Sequence, residues 1–361
     1  VNKIELTSGQ SCTFTSNNTV IPPGIEVIQT KVTCPVGQQD KHRRISIFYS
    51  GFLQDCSKIT KYVKDQISTE FTLIRPDAFA YPIFAQPNFN SIIRYYKSTK
   101  FLYEASISSP KGVPVIAPGK CSEHYENREC SVYSYMSTIP TYRIVIARGN
   151  YTKVQETGVT LYALNYSKEQ NIKICSFLND ANDLYNGLLG KPVYGTTSTI
   201  IEIPSGYSSS MAPDAIIVEQ HQLRNVKSHK YTFHEMAHFW APMDAPPWIC
   251  EGFAEFMSIT AVARLESSKE AEKIIRNAET TYRTIIAEKP SLKGFRGGKE
   301  TAYTGGMLFV KELCDCVGFS TLGTTMRKYA LSDKPLTIQE FKKVAEETSG
   351  MDLSEFFDRF D

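Results

Sequence analysis

The spacing of apolar and polar positions changes once along this chain. Before about residue 165 the apolar residues come in short β-branched and aromatic runs: ISIFYSGFL (45 to 53), FTLIRP (71 to 76), KFLYEASIS (100 to 108) and TYRIVIARG (141 to 149). Clusters of Pro, Gly, Asn and Ser separate these runs, and that punctuation predicts the strands of a sheet-rich domain. SKITKYVKDQI (57 to 67) interrupts them with a helical pattern. After Asn165 the sequence SKEQNIKICSFLNDANDLYNGLLG repeats apolar residues at three- and four-residue steps, with Ser167 placed to cap the helix and Gly190 to stop it. STIIEIP (198 to 204) and AIIVEQ (215 to 220) then predict two strands, and nearly everything beyond them predicts helix. The expected fold class is α+β, with a β-sheet-rich domain over 1–165 followed by a mainly helical domain over 166–361.

At 361 residues the chain is long for one core, which agrees with two domains. Its 40 Lys and Arg against 38 Asp and Glu leave a net charge of +2, too little to draw it onto a polyanion. No nucleic-acid partner is expected, and KHRR (41 to 44), the one tight basic cluster, reads as a solvated loop. No apolar run reaches the roughly 18 to 20 residues that cross a bilayer, so no membrane contact is expected in this region. A chain that opens on Val1 reads as a fragment whose leader or longer N-terminal region has been cut away, leaving its compartment open, with an extracytoplasmic or membrane-attached origin among the choices. Nine cysteines include no C-x-x-C pair, which argues against a cysteine zinc knuckle. Cys121 and Cys130 flank a polar loop and are candidates to pair in an oxidising compartment, whereas Cys314 and Cys316 read as core residues.

One stretch carries chemistry: HEMAHFWAPMDAPPWICEGFAEF, from His234 to Phe256. On a helix His234 and His238 project from one face about one turn apart, with Glu235 beside them. This H-E-x-x-H spacing suits two imidazoles that ligate zinc and a glutamate that serves as general base toward water activated there. The competing reading is a pair of amphipathic helices with solvated polar residues. A catalytic zinc needs a third protein ligand, and Glu251 is the candidate, because Pro246 and Pro247 end one helix and let the next lie back across it. Glu251 sits amid Trp248, Ile249, Phe253 and Phe256, where an unpaired carboxylate would be costly. Glu255, one turn further, is placed to receive the outer N–H of a ligating histidine. Cys250 is expected to pack against the neighbouring helix, or to be oxidisable if it faces the cleft. His221 and His229 fall outside the ligand spacing, and Ser209 and Ser210 have no adjacent base.

HEMAH followed by WICEGFAEF resembles the gluzincin metallopeptidases of the aminopeptidase N and leukotriene-hydrolase type, and the chain looks like a compact relative of them. AYTGGMLFVKELCDCVG (302 to 318) is similar to that family's Tyr-x-x-Gly segment, so the resemblance gives Tyr303 the role of oxyanion stabiliser and Gly306 that of the glycine. LTIQEFKKVAEETSGMDLSEFFDRF (336 to 360) resembles the helices that close the family's catalytic domain, and ISIFYSGFLQD and TEFTLIRPDAFAYPIF resemble parts of its N-terminal β domain. The resemblance therefore implies an aminopeptidase N-like β domain ahead of a thermolysin-like catalytic domain. It implies one Zn2+ per chain on His234, His238 and Glu251, and hydrolysis of a peptide or protein substrate with Glu235 as base. Two departures bear on specificity. The spacer between His238 and Glu251 spans only 239 to 250, shorter than in the aminopeptidases. Those enzymes also carry G-x-M-E-N, whose glutamate binds the substrate's free α-amino group, and SSMAPDAIIVE here has Ser209, Ala212 and Pro213 in place of Gly, Glu and Asn. Ala212 cannot anchor an ammonium ion, so strict aminopeptidase specificity is not expected. Met211, Ala212, Ala215 and Ile216 remain candidates for substrate binding, with AIIVE as an edge strand that an extended peptide could join.

Two other readings compete. One is a non-catalytic scaffold that keeps the fold for binding partners, and the other is hydrolysis of a non-peptide substrate such as an epoxide at the same zinc. A scaffold has no need of Glu235 or Tyr303, and both are present.

Overall fold

The structure is a computed structural model, and it describes residues 3–6, 12–21, 25–33, 45–51, 53, 64–76, 80–82, 100–141 and 143–361, the last span without 196, 197, 213, 214 and 226. Residues 57–63 of the expected early helix and the whole of KHRR lie outside these residues. The end of that stretch is strand and not helix: Gln66–Ile67 pairs antiparallel with Thr72–Ile74. Ser68 closes the connection, its Oγ accepting from the Phe71 amide at 3.1 Å and donating to the Phe71 carbonyl at 2.7 Å. A side chain that satisfies the backbone locally in this way favours a turn over a helix.

The four expected early strands each appear, shorter or shifted: Ile45–Phe48, Thr72–Ile74, Glu104–Pro110 and Ile146–Arg148. Thr72–Ile74 and Ile146–Arg148 lie in a four-stranded sheet, and Glu104–Pro110 pairs with Cys130–Met136 in a three-stranded one. In that second sheet Cys121 stands opposite Tyr135 and Cys130 opposite Pro110, so the two thiols lie at opposite ends of a hairpin and both are free. The expected disulfide is thereby corrected. Cys314 is buried as expected, but Cys316 is exposed.

A five-stranded sheet organises the second half, in the order Tyr151–Gln155, Val159–Leu164, Ser198–Ile203, Ala215–Glu219, Ser210–Ala212. Its three inner strands run parallel. Parallel strands are covered on both faces and so read as continuous apolar runs, which is why STIIEI and AIIVE lack alternation. Ile201, Ile203 and Ile217 face a core shared with Phe71, Leu73, Ile116 and Ala147 of the N-terminal sheet, whereas Ile200, Ile216 and Val218 face the helices. Two of these strands precede residue 165, so a division there would cut the sheet; we propose that the second unit begins before Tyr151.

The helix Lys168–Leu189 links two of the parallel strands. Ser167 caps it through the Gln170 amide in a reciprocal capping box, and Gly190 ends it at φ +76°. A buried ion pair locks the sheet near its start: Arg224 reaches both carboxylate oxygens of Glu202 at 2.6 and 2.8 Å, and the Leu164 amide donates to the same group at 2.7 Å. Stripping one partner from such a pair strands the other charge out of water, which typically costs about 3 to 5 kcal/mol. Glu202→Ala is therefore expected to lower unfolding free energy by about 3 kcal/mol, read as a drop in the urea midpoint. A midpoint within error of wild type would mean that Arg224 finds water instead.

Candidate metal centre

Two short helices build the centre. The first, Lys230–Ala237, carries His234 and Glu235 and tightens into a 3-10 turn over His238–Trp240, so His238 sits just past the α-helix and not within it. Its backbone remains right-handed, at φ −60° and ψ −18°, which keeps its ring on the face of His234. The ring centroids are 5.0 Å apart and nearly perpendicular. The second helix, Pro247–Ala261, begins with Pro247 at its first position, where a missing N–H does no harm, and runs back along the first.

This antiparallel arrangement matches later residues of one helix to earlier residues of the other. Glu251 Oε2 lies 3.4 Å from His234 Nε2 and 3.7 Å from His238 Nε2. Ligands at zinc bond lengths in a tetrahedron stand about 3.4 Å from one another, so the three donor atoms fit that ion in number, type and spacing. Among the described residues this is the one cluster of His, Cys, Asp or Glu so grouped. His234 turns its other nitrogen to Glu255, with Nδ1 and Oε2 3.1 Å apart, and Lys230 pairs with the remaining oxygen of Glu255.

Burial alone pushes both imidazoles toward neutrality, and His238 falls to about 4. In His234 the hydrogen bonds to Glu251 and Glu255 outweigh burial and raise it to about 9. Burial would raise Glu251, yet the His234 hydrogen bond and the His238 charge bring it to about 2, with Tyr303 hydrogen bonding in the same direction. These shifts arise because the imidazoles and the carboxylates face one another at close range. Glu235 is pushed up to about 7, chiefly by burial, against the opposing pull of His234 and of Arg143.

Tyr303 reaches the centre from a distant part of the chain. It lies on a π-helical turn, Ala302–Gly306, a rare conformation that is frequent at functional sites. Its ring stacks on that of His234 at 5.6 Å and is 42% exposed. Burial and the neighbouring Glu251 raise its pKa, so it stays a hydrogen-bond donor at neutral pH. Glycines permit this approach. A Cβ on Gly252 would lie 2.5 Å from the Gly306 carbonyl carbon, and one on Gly306 would lie 3.0 Å from the Trp248 backbone. Trp248 fixes the same contact from the side by donating from Nε1 to Thr301 at 3.0 Å.

The proposed substrate-binding residues are placed differently from expectation. Ala215–Glu219 is not the edge of its sheet, because Ser210–Ala212 pairs along it and takes the outer position. The side chains of Met211, Ala212, Ala215 and Ile216 are all buried in the two cores, which leaves only backbone for a ligand. Met211 already offers its carbonyl to Arg143 Nη1 at 2.9 Å. Two functional neighbours, Arg143 and Lys230, do not stand out in the sequence. Lys230 is one turn before His234 and could be found from helix spacing, whereas Arg143 comes from the N-terminal half and leaves no local trace. His229, which falls outside the ligand spacing, bonds Glu266 at 2.8 Å just ahead of the first helix, away from the candidate cluster.

No family model matches the chain, and no curated protein matches it. Solved structures do. The fold is that of yeast LTA4 hydrolase (TM-score 0.69, 14% identity, covering 99% of this chain and 60% of that one). It is equally that of an M1 zinc metallopeptidase from Deinococcus radiodurans (TM-score 0.67, 13% identity, covering 100% of this chain and 82% of that one). A mutant of the Deinococcus protein has been solved with a Tyr-Ser-Ala substrate. The chain spans about three fifths of the length of the yeast protein.

The glycine contact is testable on its own. In an ordinary helix Gly→Ala gains up to about 1 kcal/mol. In Gly252→Ala the new methyl would meet backbone that cannot step aside, and overpacking of that kind costs about 1 to 3 kcal/mol. The net effect is expected to be a loss of stability in chemical unfolding, and a net gain would show that the two segments have room to separate.

Proposed function

We propose that a chain with this fold, shared with LTA4 hydrolase and the M1 zinc metallopeptidases, is a zinc-dependent peptidase. The observation that carries the reading is the convergence of His234, His238 and Glu251 within zinc-ligand spacing, with Glu235 and Tyr303 beside them. Zinc held there supplies a Lewis acid that acidifies water and polarises a carbonyl.

The chain's own groups perform the remaining work. Glu235, on the residue after His234 and only partly exposed, takes the proton of the attacking water and later hands it to the departing amine. A dication nearby would draw its pKa below the value set by burial alone, leaving it a carboxylate at neutral pH. Tyr303 donates its hydroxyl hydrogen to the substrate oxygen as that oxygen becomes negative. Glu255, held by Lys230, keeps His234 in the tautomer that leaves Nε2 unprotonated. With alanine at position 212 no carboxylate stands there for a substrate's terminal ammonium, so the reading favours internal bonds or short peptides over strict removal of N-terminal residues.

Metal analysis of the purified protein, followed by a peptide-library digest with and without chelator, tests the reading. About one zinc per chain and chelator-sensitive cleavage are expected, whereas metal-free protein, or cleavage indifferent to chelator, would end it. Glu235→Gln is expected to retain zinc and lose roughly 100-fold or more in kcat, since an amide cannot accept the proton. Tyr303→Phe is expected to lose roughly 100-fold in kcat with zinc content unchanged. Full turnover in either variant would remove that residue from the chemistry.

A further inference from the structure

The two imidazoles at the centre are held from behind by unlike groups. His234 Nδ1 meets the Glu255 carboxylate, which Lys230 balances. His238 Nδ1 instead lies 3.6 Å from the sulfur of Cys250, and both residues are buried, at 4% and 3% exposure. For a neutral His238 to offer an unprotonated Nε2 to a cation shared with Glu251, its proton must sit on Nδ1. That buried N–H needs an acceptor, and a sulfur lone pair at this distance is one, though a weak one. The opposite polarity, with S–H donating to Nδ1, would place the ring proton on Nε2 and close that nitrogen to a cation.

We propose that Cys250 is a positioning residue of the metal centre: its sulfur accepts the Nδ1–H of His238 and so fixes the tautomer and angle of that ring. The inference rests on the zinc-peptidase reading above. The register of the two helices supports it. Along the antiparallel pair, Glu255 falls behind His234 and Cys250 falls behind His238, so each ring has one partner from the facing helix. Cys250 also directly precedes Glu251 in the chain. Any tilt of the helix that moves the carboxylate ligand therefore moves the group that aims His238, and the two ligands shift together.

Zinc dissociation constants of wild type, Cys250→Ala and Cys250→Asn, measured by competition with a chromogenic chelator, test the proposal. Losing a partner behind a ligating imidazole typically weakens metal binding roughly 10- to 100-fold, and Cys250→Ala is expected within that range. Cys250→Asn brings a neutral oxygen acceptor to the same ring and is expected to recover most of the loss. The cobalt(II) form of Cys250→Ala is expected to shift its visible absorption bands as the ring turns, a change that mere loss of packing would not cause. An unchanged zinc affinity in Cys250→Ala overturns the proposal and leaves the zinc site standing. A loss that Cys250→Asn fails to recover overturns the acceptor role in favour of packing, and wild-type protein that binds no zinc overturns both this inference and the reading beneath it.

Discussion

The close antiparallel contact between the helix of His234 and the helix of Glu251 is the constraint on which everything else depends. His234 lies on one segment and Glu251 and Glu255 on another, and the two come together only if Pro246 and Pro247 turn the chain at this point. A slip of one residue along the second helix would rotate Glu251 by about 100° away from both imidazoles. The second helix is therefore fixed on its far side too, where Gly252 touches Gly306 backbone to backbone and Trp248 packs among Tyr282, Phe295, Phe309 and Phe360. The candidate centre and the packing share one helix. Its polar residues face the histidines and its aromatic residues hold the register that keeps them there.

Burial sets the chemistry as strongly as geometry does. Two imidazoles and two carboxylates taken out of water would repel or neutralise one another unless a cation joined them. The chain supplies part of that charge itself. The hydrogen bond from His234 and the charge of Lys230 together bring Glu255 below its usual range despite burial. Glu251 is left as the carboxylate turned toward both rings, and Glu235 as the one held near neutrality. Glu235, Glu251 and Glu255 thus differ in their electrostatic surroundings because their neighbours differ, although the sequence writes them with the same letter.

This division explains what is legible in the sequence. The helix Lys168–Leu189, the strands at 198 and 215 and the pairing of His234 with His238 on one face are readable because each follows from local spacing: a cap and a stop, an apolar run, two histidines four apart. The helical pattern over 57 to 67 misleads at its end because Ser68 satisfies the Phe71 backbone locally, a competition that periodicity does not register. The edge of the sheet is hidden for a related reason. Ser210–Ala212 is only three residues long, too short to show a period, yet it covers the longer strand beside it. The pairing of Cys121 with Cys130 fails because nearness in sequence places them at opposite ends of a hairpin.

Arg143 marks the limit of local reading most clearly. It lies in the N-terminal half, just ahead of a sheet strand, and nothing in TYRIVIARG sets it apart. In the fold its guanidinium binds the carbonyl of Met211 on the edge strand and its charge acts on Glu235. The N-terminal half therefore does more than pack against the helical half: it contributes charge around Glu235 and holds backbone of the sheet's outer strand. The shared core of Phe71, Leu73, Ile201 and Ile217 holds the two halves in the alignment this requires, so the electrostatics around Glu235 depend on residues far away in the chain.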